Sequence, residues 1–74
     1  MERNVLLSNR LKELCEEKGM TWQALAEKSG MPVKRVYRIY VGQTSNPSVF
    51  TMIQICKGLD ISLDEFFATD EFKA

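Results

Sequence analysis

Apolar residues recur along this chain at helical spacing, and no stretch alternates in the manner of a strand. Leu7, Leu11 and Leu14 form one stripe in a segment from about Val5 to Lys18, with Gly19 as its natural stop. Arg10, Lys12, Glu13, Glu16 and Glu17 flank that stripe. A second segment, 22–29, takes Thr21 as N-cap, turns Leu25 and Ala26 inward and ends at Gly30. A third, 32–41, places Pro32 in its first turn, where the missing N–H would be unpaired anyway, with Gly42 beyond its end. Ser48 opens a fourth, 48–58, whose apolar side is Met52, Ile55, Cys56 and the following Leu59, with Gly58 near its end. Ser62-Leu63-Asp64-Glu65 has capping-box spacing and opens a fifth, 63–68, before a short acidic tail, 69–74. Five short helices with brief connections predict an all-α, compact orthogonal bundle forming one domain over 1–74.

The third segment differs from the others in its polar side. With Val36 turned to the core, Ile39, Tyr40 and Val33 fall on the same side, while Lys34, Arg38 and Val41 point away and Arg35 and Tyr37 take the flanks. No acidic residue lies between Lys28 and Gln43. A solvated face is the plain explanation for charge on an exposed helix. Here, though, a helix, a glycine turn and a proline precede the basic helix, the arrangement that places a helix in the DNA major groove. Its Arg and Lys can donate to guanine edges or phosphates, and the Tyr37 hydroxyl to either.

Overall charge adds a distinction. The chain is formally neutral, yet residues 28–43 carry +4 and residues 58–74 carry −4. Such segregation gives a local field on a molecule with no net charge. The two cysteines, Cys15 and Cys56, form no CxxC pair and read as reduced, small hydrophobes within helices. With no histidine, zinc fingers and His-dependent acid–base catalysis are excluded. No phosphate-cradling glycine loop or metal-ligand cluster stands out, so no cofactor or metal is expected and an enzyme is the weakest reading. No apolar run suits a membrane span or signal peptide, and a cytoplasmic location is expected.

The residues Leu11-Lys12-Glu13-Leu14, Lys18-Gly19-Met20-Thr21, Ala24 to Gly30, Val36, Arg38-Ile39, Gly42, Asn46-Pro47-Ser48 and Leu59 to Phe67 resemble the lambda-repressor-like, Cro-type helix-turn-helix domains, the XRE family. The resemblance covers about Asn9 to Phe67. It implies a five-helix DNA-binding domain whose third helix reads bases, usually as a dimer on a palindromic operator of double-stranded DNA. Carried over, base contacts come from Val33, Lys34, Tyr37 and Arg38. Phosphate contacts come from Trp22, Gln23, Arg35, Gln43, Thr44 and Asn46. Val33 stands between two assignments, since the helical wheel turns it inward and the resemblance turns it to a thymine methyl.

Three departures from the family pattern matter. Trp22 stands where relatives place a phosphate-anchoring glutamine, and it suits core or partner packing as well as an indole N–H to a phosphate. Cys15 and Tyr40 occupy the two positions of a buried arginine–carboxylate bridge, lost together so that no charge is stranded, and they are expected to pack on each other. Pro32 replaces a serine or threonine cap. In the tail, Phe67 is expected to cap the core while Phe66 and Phe72, exposed, supply a homodimer contact; the alternative is that both fold back on their own domain. The leading expectation is a sequence-specific transcriptional regulator, a repressor. The alternative is an antitoxin-like or adaptor module that uses the same fold to bind a partner protein.

Overall fold

A computed structural model describes residues 3–44, 47–69 and 72 of the chain. It forms α1 (Arg3–Glu17), α2 (Trp22–Ser29), α3 (Val33–Tyr40), α4 (Val49–Leu59) and α5 (Leu63–Phe66), with no strand among the described residues. Hydroxyl caps set three of the starts. Thr21 Oγ1 accepts from the Ala24 N–H at 3.1 Å, Ser48 Oγ from Thr51 N–H at 3.1 Å and Ser62 Oγ from Glu65 N–H at 3.1 Å. Pro32 stands one place outside α3 rather than in its first turn, because its ψ of 136° is extended and the helix begins at the next residue.

The ends of α1 to α4 share one closing motif. A residue at positive φ, Gly19, Gly30, Gly42 or Asp60, is followed by an N–H that reaches back five residues. The bonds are Met20 to Cys15 at 2.9 Å, Met31 to Ala26 at 3.0 Å, Gln43 to Arg38 at 2.7 Å and Ile61 to Cys56 at 3.0 Å. α4 therefore ends at Leu59 with Asp60 as its C-cap, and Gly58, near that end as expected, is buried.

The core gathers Leu11, Leu14 and Cys15 of α1, Leu25 and Ala26 of α2, Val36 and Ile39 of α3, Ile55, Cys56 and Leu59 of α4, and Phe66 of α5. α2 packs on both α3 and α4, α1 packs on α3, and α5 closes on α4. Burial raises the thiol pKa of Cys15 and of Cys56, the latter also through the Glu65 carboxylate. No helix is long and apolar enough to cross a membrane among the described residues.

The expected roles of the tail phenylalanines are exchanged. Phe66 is fully buried, Phe67 is 37% exposed, and Phe72 is half-buried against the core, so neither Phe66 nor Phe72 is the exposed residue expected, and both fold back on their own domain. Phe66 lies three residues from the half-buried Leu63, on the inner face of the single turn, and Phe67 falls about 100° further round. α5 is also shorter than 63–68. It stops where Arg10 takes its end, Nε donating to the Phe66 carbonyl and Nη2 to the Glu65 carbonyl, both at 2.7 Å. The expected acidic residues Asp70 and Glu71 lie outside the described residues.

Candidate nucleic-acid interface

The position of α3 is fixed from three directions. On its inner side Val36 and Ile39 enter the core, and before it Met31 anchors the turn from α2. At its C-terminal end α1 supplies two donors to backbone carbonyls. Ser8 Oγ donates to the Tyr40 carbonyl at 2.6 Å, and Asn4 Nδ2 donates to the Gly42 carbonyl at 2.8 Å. These bonds tie α1 to α3 in a chain that lacks an arginine–carboxylate pair at Cys15 and Tyr40. Tyr40 itself is half-buried against the core to which Cys15 belongs, with the Lys12 ammonium 5.6 Å from its ring centroid.

So held, α3 leaves Lys34, Arg35, Tyr37 and Arg38 exposed. Lys34, Arg35, Arg38 and Thr44 line one groove of about 400 Å³, with Pro32, Ile39, Pro47 and Thr51 completing its walls. Among the described residues the one ion pair joins Arg10 to Glu13 on α1, so none of the groove's cations is neutralised by a carboxylate. The arrangement offers convergent donors to an anion and a free row of side chains to a base edge.

Val33 is 47% exposed, which corrects its inward position on the helical wheel. A wheel gives direction only; the core along α3 reaches Val36 and Ile39 and does not extend to the helix's first residue. Trp22, the first residue of α2, is half-buried and packs against the core. Its ring centroid lies 4.8 Å from Tyr37 at a 55° tilt and 6.5 Å from Tyr40. Trp22 therefore links the start of α2 to the outer flank of α3. Gln23 and Gln43 are exposed at the two ends of the helix-turn-helix and do not line the groove, Thr44 is half-buried within it, and Asn46 lies outside the described residues.

Sequence reasoning passed over Val49 and Phe50, which are 66% and 80% exposed at the start of α4. The signal was present: Met52, Ile55, Cys56 and Leu59 define the inner face, and Phe50 falls almost opposite its centre. Among the described residues no group of three His, Cys, Asp or Glu side chains stands together to hold a metal.

No curated protein and no solved structure matches this chain. A family model described as helix-turn-helix, of the Cro/C1 type, matches residues 11–66, from the core face of α1 through the basic helix to the end of α5. With more than half its length matched, the chain belongs to that helix-turn-helix family, whose members are DNA-binding regulators.

Proposed function

We propose that this protein is a cytoplasmic transcriptional repressor that binds double-stranded DNA sequence-specifically, as a homodimer on a palindromic operator. α3 enters the major groove, where Val33, Lys34, Tyr37 and Arg38 meet base edges. Gln23, Arg35, Gln43, Thr44 and Asn46 meet phosphates on either side, joined by the Trp22 indole N–H. The observation that carries this reading is the groove of Lys34, Arg35, Arg38 and Thr44 along a helix face free of carboxylates. A protein occupying an operator in this way blocks whatever else must bind there, which is the simplest form of repression. For the dimer contact, the half-buried Phe72 is joined by the exposed Phe67, since Phe66 is buried, and the two rings meet edge to face at 5.0 Å.

The test is selection from a random pool of double-stranded DNA near physiological salt. An enriched palindrome is expected, with half-sites about 10 base pairs or a multiple of the helical turn apart. Replacing Lys34 and Arg38 together by alanine abolishes selective binding, since each specific contact is worth about 1–3 kcal/mol. A second reading, a protein-interaction module, is favoured by one observation, the exposed Val49–Phe50 pair. Under that reading the Lys34/Arg38 variant retains function and Phe50→Ser removes it.

A further inference from the structure

α3 is held in its middle by packing and at its end by side-chain hydrogen bonds. Its start has no side-chain cap, since Pro32 stands at the N-cap position. Its inner side enters the core through Val36 and Ile39, three residues apart, and apolar contact of this kind is non-directional. A helix of eight residues, about 12 Å long, can rock about so short a seat. Beyond Ile39, α1 supplies the directional hold. The buried Ser8 Oγ donates to the Tyr40 carbonyl at 2.6 Å, and Asn4 Nδ2 donates to the Gly42 carbonyl at 2.8 Å. α1 also backs closely onto the turn, where a Cβ on Gly42 would stand 3.6 Å from the Asn4 carbonyl oxygen and 3.7 Å from Ser8 Cβ. Gly42 is at φ +82°, and the next N–H, that of Gln43, returns to the Arg38 carbonyl at 2.7 Å. The segment from Arg38 to Gln43 is thus fastened to the first two turns of α1.

Resting on the DNA-reading function above, we propose that Ser8 and Asn4 are positioning residues for DNA recognition, each governing a different class of contact. Ser8, through the Tyr40 carbonyl, sets the angle at which α3 presents Arg38 to a base edge. Asn4, through the Gly42 carbonyl, sets the turn that presents Gln43 and Thr44 to phosphates. Such contacts need their groups held to within about 0.5 Å, which hydrogen bonds from a packed helix supply and apolar contact alone does not. Base contacts carry sequence information and phosphate contacts do not, so the two residues have separable signatures. Neither lines the groove of Lys34, Arg35, Arg38 and Thr44, and both act on DNA through α3 and its turn.

The experiment uses the intact chain as wild type, Ser8→Ala, Asn4→Ala and Ser62→Ala. The last is a control that removes one hydroxyl hydrogen bond from the start of α5. Melting curves come first, and affinities for the selected operator and for random duplex are then read across salt, well below each melting temperature. Ser8→Ala is expected to lower operator affinity about tenfold, within the range of one lost base contact, and to leave random duplex unchanged. Asn4→Ala is expected to weaken operator and random duplex alike, by about fivefold, the order of a lost uncharged hydrogen bond. Its salt slope stays at the wild-type value, because Gln43 and Thr44 carry no charge and release no counterion. Ser62→Ala lowers the melting temperature and leaves both affinities as they were. If the Ser8 and Asn4 variants behave as Ser62→Ala does, the bonds serve stability alone and the proposal is overturned. A Ser8→Ala loss shared equally by random duplex overturns the role of Ser8 in base reading. An Asn4→Ala loss confined to the operator, or one that lowers the salt slope, overturns the role of Asn4 at uncharged phosphate contacts. Wild-type protein that selects no operator is a different result, seen before any variant is made, and overturns base reading itself.

Discussion

Asp60 shows how a single residue sits against the local physics. It occupies the position that glycine holds after α1, α2 and α3, with φ at +60°, and it closes α4 through the same backbone bonds. An L side chain in the left-handed region costs about 1 kcal/mol. The carboxylate also lies at the negative end of the α4 dipole, a further cost of a few tenths. Asp60→Gly is therefore expected to stabilise the protein by about 1 kcal/mol and raise its melting temperature by about 5 °C. A circular-dichroism melt unchanged or lowered would show that the aspartate makes a compensating interaction. The phenylalanines of the tail mark the limit of residue-level reading. In Leu63-Asp64-Glu65-Phe66-Phe67 both rings are within a helical turn of Leu63, so the pattern alone admits either as the inner one. What decides is tertiary: Arg10 holds the carbonyls of Glu65 and Phe66, ends the helix there and leaves Phe67 at the rim.

Elements were more legible than their contacts. Caps and glycines mark the five helices to within about two residues, because capping is local chemistry between residues three apart. The bonds from Ser8 and Asn4 to the end of α3 span 32 and 38 residues, and nothing in a local pattern reports them. The packing of α4 on α2 is hidden in the same way behind Gly58. By propensity alone Gly58→Ala would favour α4 by about 1 kcal/mol. A Cβ there, however, would stand 2.9 Å from Leu25 Cδ1 and 3.2 Å from the Ser29 nitrogen, against a buried side chain and a backbone that cannot easily give way. Overpacking costs about 1–3 kcal/mol, so the substitution is expected to destabilise despite the better helix former. Equilibrium denaturation reads the sign directly; a gain in stability would mean that α2 and α4 are free to move apart.

On the scale of the whole molecule, neutrality and DNA binding are reconciled by where the charge lies. The chain has no net charge to draw it toward DNA from a distance, and the field that acts at contact comes from Lys34, Arg35 and Arg38 on one helix. The described residues extend 32 Å along their longest axis and 21–22 Å along the others, so the proposed dimer on half-sites 34–36 Å apart requires that long axis to run along the DNA. Salt dependence of binding then reports both the phosphate contact and the stoichiometry. Each phosphate neutralised contributes about −0.9 to the slope of log affinity against log salt. Arg35 lines the groove beside Thr44 and serves a phosphate in the proposed function, so Arg35→Ala should weaken operator and random DNA to similar extents. In a homodimer the substitution removes the contact twice, and the operator-binding slope falls by about 2. A fall of about 1 would mean that a monomer binds the operator, and would reject the symmetric dimer while keeping the phosphate contact. An unchanged slope would place Arg35 off the backbone altogether, and a loss confined to the operator would make it a base-reading residue.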